Sequence, residues 1–189
     1  MSIPNLLSVF RLLLVPVFVS AFILLPSEQY YWLAVILLVS GITDVLDGYI
    51  ARRFHQVTQL GKILDPIADK ITVAVVLFCL MFLYRQVSLV LSVYIAKELL
   101  MGIGAFILAK RGIKPISARW FGKVATFVTY TVMFLFIIIP HIGDIWLVVC
   151  NVLVIVVTLF ALVMYGKEFF HYYRQGESAV TGSGEKPEK

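Results

Sequence analysis

The sequence contains few charged residues and few cysteines, and both shortages restrict the class of protein it can encode. Only 14% of the 189 residues are charged, whereas 61% are hydrophobic and the mean hydropathy is +0.96. Because soluble domains carry about 25% charged residues, the composition indicates a protein of the lipid bilayer. Cys79 and Cys150 lie far apart in apolar segments, and neither has a cysteine or histidine at metal-ligand spacing. We therefore expect both to be small packing residues.

Long hydrophobic stretches dominate the rest of the chain. A helix needs about 20 mostly apolar residues to cross a membrane, and the stretches that approach this length are 6–25, 31–51, 65–84, 87–109, 120–139 and 145–165. The hydrocarbon interior admits only helices or closed barrels, and these stretches are continuous rather than alternating. The sequence therefore predicts an all-α integral membrane domain, a bundle of six transmembrane helices over 1–170. The polar tail, 171–189, is predicted to be disordered.

Lysine and arginine are concentrated in alternate connectors. If the N-terminus lies inside the cell, twelve of these residues fall in the inner connectors and the tail, and Arg85 alone falls in an outer connector. Cytoplasmic loops are enriched in Lys and Arg, so this pattern predicts a multi-pass protein of the cell membrane with both termini cytoplasmic. Topology and attraction to anionic headgroups account for the net charge of +5. We expect membrane lipids as partners, and no nucleic acid.

Four acids interrupt the second and third stretches near their predicted cytoplasmic ends: Asp44, Asp47, Asp65 and Asp69. Their spacings, i, i+3 and i, i+4, place each pair on one helical face. A carboxylate in hydrocarbon costs about 2.5–3.5 kcal/mol, which a cation must offset. Helix caps paired with neighbouring basic residues are a simpler interpretation, but they do not explain two facing pairs. Oxygen-only clusters suit Mg²⁺ or Mn²⁺, and two such ions can support displacement at a phosphate.

The spacing of the acids and their neighbours resembles a known family signature. The pattern is Asp44-x2-Asp47-Gly48-x2-Ala51-Arg52-x8-Gly61-x3-Asp65-x3-Asp69. It is similar to the signature of the CDP-alcohol phosphatidyltransferases. The N-terminal "IPNLLSVFR" resembles the branch of phosphatidylglycerophosphate synthases and eukaryotic-type cardiolipin synthases. The resemblance implies metal-dependent transfer of a phosphatidyl group from CDP-diacylglycerol to an alcohol, with release of CMP. It also implies a homodimer.

The resemblance implies a role for each matching residue. Asp44, Asp47 and Asp65 would be metal ligands, and Asp69 would be the base for the attacking hydroxyl while also lying close to the metals. The Arg52 guanidinium would bind the diphosphate of the donor through paired hydrogen bonds. The full set implied to contact the CDP-lipid is Asp44, Asp47, Gly48, Ala51, Arg52, Gly61 and Asn5.

The acceptor alcohol is less well defined. Basic residues that would bind a phosphate-bearing acceptor are Lys97, Arg111, Arg119, Lys123 and Arg11. Phosphatidylglycerophosphate synthases usually carry Arg-Glu where this chain has Lys97 and Glu98, and a second arginine where it has Ala105. That departure favours a cardiolipin synthase using phosphatidylglycerol, whereas "GKVAT" around Lys123 resembles the glycerol 3-phosphate enzymes. We expect glycerol 3-phosphate, with phosphatidylglycerol as the alternative.

Two interpretations belong to other classes of protein. The four aspartates would also suit a non-enzymatic cation transporter, or the chain would be an inactive membrane scaffold. Transporter ion sites usually lie near the membrane midplane on a path open to both faces. Because these acids lie toward one predicted face, the sequence favours an enzyme acting at the cytoplasmic surface.

Overall fold

The computed structural model describes residues 3–53, 59–112, 119–139 and 142–182. Within these ranges the regular structure is entirely helical, without strands. The helices are α1 (Ile3–Leu24), α2 (Tyr31–Arg53), α3 (Gln59–Leu83), α4 (Val87–Lys110), α5 (Trp120–Ile138) and α6 (Asp144–Gly182), with a short 3-10 turn at Ser27–Gln29. All six α-helices are long and apolar enough to cross a membrane. The predicted all-α fold with six spans is confirmed, and the chain is a multi-pass membrane protein.

Helix boundaries depart from the prediction at the polar ends of the spans. Helix α3 begins at Gln59, before the membrane span Leu64–Leu83, and Asp65 and Asp69 lie in the first part of that span, as predicted. Helix α4 ends at Lys110, and Gly112 follows with φ 71°, a left-handed conformation that favours glycine. Hydrophobicity marks where a helix enters the bilayer, whereas the backbone hydrogen bonds continue into the polar interface.

Part of the tail lies within a helix, since α6 continues through Gly182, and the disorder expected for 171–189 stays a prediction. Residues 171–182 contain no proline and include Arg, Gln, Glu and Ala, which have high helix propensity. An aromatic contact supports the start of this extension, where the rings of Phe169 and Tyr173 lie 5.8 Å apart. Residues 183–189 lie outside the described ranges, and the division into a membrane domain and a tail remains a prediction.

The chain divides into two compact units. Unit 1 is Met1–Leu91 with Tyr130–Asn151, and unit 2 is Ser92–Thr129 with Val152–Lys189. In unit 1, α1 packs against both α2 and α3, and the most deeply buried apolar residues include Leu33, Val73, Val76 and Leu80. In unit 2, Phe121, Ala125 and Ala161 form a buried cluster against which Val157, Met164 and Tyr165 pack.

Helices α5 and α6 approach closely within unit 2 at Gly122. A Cβ atom on this glycine would lie 2.5 Å from the hydroxyl oxygen of Tyr165 and 3.1 Å from its Cε2 atom. The Tyr165 ring packs edge-on against Phe121 with centroids 4.6 Å apart, and its hydroxyl accepts a hydrogen bond from the Arg119 backbone N–H at 3.3 Å. If the tyrosine moved aside to make room for a Cβ atom, these contacts would be lost.

We expect Gly122→Ala to lower the thermal unfolding temperature of the detergent-solubilised protein by several degrees, because overpacking costs about 1–3 kcal/mol. Gly102→Ala on α4 is the matched control. A Cβ there meets no atom of the described residues within 4 Å, so its gain in helix propensity leaves stability unchanged or slightly higher. Equal unfolding temperatures for the two variants would contradict the close approach of α5 and α6.

Candidate active site

Three helices of unit 1 bring polar side chains together. Helix α2 carries Asp44 and Asp47, and α3 carries Asp65 and Asp69; we call these four residues the aspartate cluster. Helix α1 packs against both helices. Its contribution to the cluster comes from polar residues buried within an otherwise apolar span: Asn5, Ser8 and Arg11.

Arg11 bridges the two acids of α2. Its Nη1 atom lies 2.6 Å from Asp44 Oδ1, and its Nη2 atom lies 2.5 Å from Asp47 Oδ2. The arginine side chain is fully buried and Asp47 is nearly so, whereas Asp44 is half-exposed. A buried charge is stable only when it is paired and hydrogen-bonded, so this guanidinium offsets both the burial of Asp47 and its repulsion from Asp44.

Hydroxyl groups hold the two acids of α3. The Ser8 hydroxyl donates a hydrogen bond to Asp65 Oδ1, and the Tyr130 hydroxyl of α5 donates one to Asp69 Oδ1 at 3.0 Å. Asp65 and Asp69 are both partly exposed. Each acid therefore keeps access to a ligand while one of its oxygens is held in place.

Electrostatic interactions join these pairs into one group. Asp47 interacts with Asp44 and Asp65 as well as with Arg11. Tyr130 interacts with Asp44 as well as with Asp69. The two acidic pairs therefore interact electrostatically within unit 1, and their joint use as one ligand set stays a prediction.

The donors of the aspartate cluster fit a hard divalent cation by chemistry. All four are carboxylates, the ligands that Mg²⁺ and Mn²⁺ prefer, and the space between Asp44 and Asp47 already holds a positive group. In the described part of the chain, no three acidic, histidine or cysteine side chains converge as a ligand set. Arg11, Ser8 and Tyr130 each contact one or more of these carboxylates.

The other residues predicted to bind the CDP-lipid lie on the same helices. Asn5 is buried in α1, one turn before Ser8, and Gly48 follows Asp47 directly in α2. Gly61 is buried in the first turn of α3. Two further residues belong to the last turn of α2, with side chains outside the described part: Ala51 and Arg52.

The predicted acceptor-binding residues fall into two groups. Arg11 lies in the aspartate cluster, whereas Lys97, Arg111, Arg119 and Lys123 belong to unit 2. Lys97 is buried, and its Nζ atom lies 2.5 Å from Glu98 Oε1 and 5.3 Å from the centre of the Tyr94 ring. This lysine thus has local partners that stabilise its charge within the span.

The other basic residues predicted to bind the acceptor lie at or next to helix ends. Arg119 Nε lies 2.9 Å from Glu168 Oε1. Arg111 donates a hydrogen bond to the Tyr173 hydroxyl and stacks on that ring at 3.9 Å. Lys123 is exposed in the first turn of α5. Their proposed role toward an acceptor stays a prediction.

Sequence reasoning missed Ser8 and Tyr130. Ser8 lies midway between Asn5 and Arg11 at a spacing of three residues, so polar periodicity in an apolar span would have identified it. Tyr130 lies in the middle of α5, whereas membrane tyrosines concentrate at span ends. That unusual position was a signal, but its partner Asp69 is 61 residues away in the chain.

A cluster of carboxylates in a multi-pass helical protein, with oxygen donors suited to hard cations, is typical of a membrane enzyme acting on phosphates. Comparison with known proteins agrees. The family described as CDP-alcohol phosphatidyltransferase matches residues 1–164, and the chain belongs to this family. Members generally depend on a divalent metal. Membership of this transferase family disfavours the transporter and scaffold interpretations.

Curated relatives share most of the matched region. The chain is 36% identical over 128 residues to the CDP-diacylglycerol--glycerol-3-phosphate 3-phosphatidyltransferase of Escherichia coli (strain K12), covering 66% of this chain and 70% of that protein. Proteins of the same name from Shigella boydii serotype 4 (strain Sb227) and Shigella sonnei (strain Ss046) show the same identity and coverage.

Proposed function

We propose that this protein transfers the phosphatidyl group of CDP-diacylglycerol to glycerol 3-phosphate, giving phosphatidylglycerophosphate and CMP. The observation that carries the proposal is the aspartate cluster, assembled in unit 1 of a chain that belongs to the CDP-alcohol phosphatidyltransferases. The names of its relatives support CDP-diacylglycerol as donor and glycerol 3-phosphate as acceptor.

The aspartate cluster would hold two divalent ions, Mg²⁺ or Mn²⁺, through Asp44, Asp47, Asp65 and Asp69. Bound there, the ions would supply charge stabilisation to the phosphate during transfer. Since Asp44 and Asp65 are both accessible, the α2 and α3 sides of the cluster can each contribute ligands.

Asp69 would remove the proton from the attacking hydroxyl of the acceptor. The acceptor oxygen then bonds to the phosphorus that carries the diacylglycerol. The bond from this phosphorus to the oxygen between the two phosphorus atoms breaks, and CMP leaves. A hydroxyl is a poor nucleophile until a nearby base takes its proton. Tyr130 bonds to one oxygen of Asp69, which restricts the rotation of the carboxylate and orients its other oxygen for proton transfer.

CDP-diacylglycerol would bind along α2 and near the first turns of α1 and α3. Arg52 would contact the diphosphate, because a guanidinium makes paired, charge-assisted hydrogen bonds to phosphate oxygens. The small side chains of Gly48, Ala51 and Gly61 would allow the nucleotide to approach the backbone. Asn5, buried on α1, would complete this side together with Asp44 and Asp47.

The acceptor phosphate would bind basic residues drawn from Lys97, Arg111, Arg119, Lys123 and Arg11. Cardiolipin synthesis with phosphatidylglycerol is the second candidate, favoured by Ala105 where the glycerol 3-phosphate enzymes usually carry arginine. We further propose a homodimer in the cell membrane, with both termini and the active site at the cytoplasmic face. The asymmetric distribution of Lys and Arg supports that orientation.

A reconstituted assay tests the proposed reaction. Purified protein receives CDP-diacylglycerol, Mg²⁺ or Mn²⁺, and either glycerol 3-phosphate or phosphatidylglycerol, and CMP and lipid products are measured. We expect CMP release with glycerol 3-phosphate and a loss of about 100-fold or more in Asp69→Asn, because a general base typically contributes 10²–10⁴-fold. Asp144→Asn is the control, because this exposed residue begins α6 and Asn also favours a helix start.

Two results would change the assignment. An undiminished rate in Asp69→Asn would remove this residue from the proton transfer. Product formation with phosphatidylglycerol alone would replace the first acceptor by the second.

Tyr130→Phe tests the positioning of the base. The variant keeps the ring but removes the hydrogen bond to Asp69, and bonds to charged groups contribute about 1.5–3 kcal/mol, so we expect about a tenfold lower kcat with little change in KM. Tyr84→Phe is the matched control, because the Tyr84 hydroxyl bonds to the Phe136 carbonyl at 3.3 Å. Equal kcat values for both variants would show that Tyr130 does not position Asp69.

A further inference from the structure

Arg11 occupies an unusual place for an arginine in a membrane protein. It lies within the span Asn5–Leu24, where its side chain is fully buried. Both terminal nitrogens face carboxylates of α2, at 2.6 Å from Asp44 and 2.5 Å from Asp47. The guanidinium therefore fills the space between two acids that the proposed function assigns to metal ligation.

The guanidinium and a divalent cation would use the same two carboxylates. Arg11 contacts one oxygen of each acid, Asp44 Oδ1 and Asp47 Oδ2, so a cation held by both acids would lie next to the guanidinium. Two positive groups on one pair of carboxylates repel each other, and the repulsion is strong in a buried site of low dielectric. The guanidinium and the cation therefore cannot both bind these two carboxylates strongly at the same time.

The contacts of Arg11 allow a divalent cation to replace it at the carboxylates. Its Nε and Nη1 atoms are buried without a hydrogen-bond partner among the described residues, so Nη2 donates the hydrogen bond, to Asp47, while Asp44 is held by charge alone. Asp44 is half-exposed, which gives an incoming ion access to one end of the bridge. Asp65 and Asp69 of α3 accept hydrogen bonds from Ser8 and Tyr130 rather than from Arg11, so these two bonds do not have to break during an exchange.

We propose that Arg11 is an internal counter-ion that competes with the divalent cation for Asp44 and Asp47. In the metal-free protein it neutralises these acids and stabilises the packing of α1 on α2. When the cation binds, the Arg11 side chain moves away from the carboxylate oxygens. This proposal rests on the proposed metal use of the aspartate cluster, and it makes Arg11 a residue that sets metal affinity.

Metal binding without substrates tests this competition. Mn²⁺ binding to the purified full chain in detergent is measured by the electron paramagnetic resonance signal of the free ion. Arg11→Met removes the competitor with little change in side-chain length. We expect about a tenfold lower apparent Kd for Mn²⁺, because the carboxylates no longer have to be released from Arg11 before the ion binds. Arg53→Met is the control, because exposed Arg53 at the end of α2 contacts Tyr49 instead, and its Kd stays at the wild-type value.

Thermal unfolding in EDTA provides a second readout. Arg11→Met leaves the acids without their counter-ion, so we expect a lower unfolding temperature than wild type and a larger rise when Mn²⁺ is added. If Arg11→Met does not fold, Arg11→Lys serves as the test variant. Lysine keeps the positive charge but has a single amine nitrogen in place of the two terminal nitrogens of arginine. Its expected Kd lies between those of wild type and Arg11→Met.

The outcomes separate this proposal from the one it rests on. Equal or weaker Mn²⁺ binding in Arg11→Met, or in Arg11→Lys if only that variant folds, would overturn the competition while leaving the metal site intact. Loss of binding in Asp47→Asn would support the location of the ion. An absence of Mn²⁺ binding in the wild type would overturn both the competition and the proposed metal chemistry.

Discussion

The bridge from Arg11 to Asp44 and Asp47 is the interaction on which the described site depends. Each of these charges would be unstable alone in a span, because removing an ion from water costs several kcal/mol that only a close partner can offset. The bridge also joins α1 to α2, and Ser8 joins α1 to Asp65 on α3. The first helix is therefore part of the active-site scaffold as well as a membrane span.

The same constraint explains why the proposed chemistry lies on packed helices. Side chains on helices are positioned more precisely than those on loops, and each member of the aspartate cluster has a contact from another helix. Asp69 receives its contact from Tyr130 of α5. A base held in this way is suited to proton transfer, because small changes in its position reduce the rate strongly.

The fold was largely predictable because the bilayer leaves few choices. Continuous apolar runs must form helices in hydrocarbon, and all six predicted spans are present. Hydrophobicity does not determine where a helix ends in the polar interface. For this reason the start of α3 at Gln59 and the extension of α6 to Gly182 were not predicted.

The site was predictable only where its residues follow local spacing. Asp44 and Asp47, or Asp65 and Asp69, share a helical face because of their separation in the chain. The partner of each acid depends on which helices pack together, and no local pattern contains that information. The contacts of Arg11 with Asp44 and Asp47 were therefore not predicted, and its role toward an acceptor stays a prediction.

We propose that the aspartate cluster binds the metal ions of a phosphatidyl transfer site. Anomalous X-ray diffraction from crystals grown with Mn²⁺ tests it most directly, because the signal locates the ions independently of the protein. We expect anomalous peaks coordinated by carboxylate oxygens of Asp44, Asp47 and Asp65, with Arg11 moved from its bridge. Mn²⁺ peaks away from these carboxylates, with Arg11 still bridging Asp44 and Asp47, would contradict it.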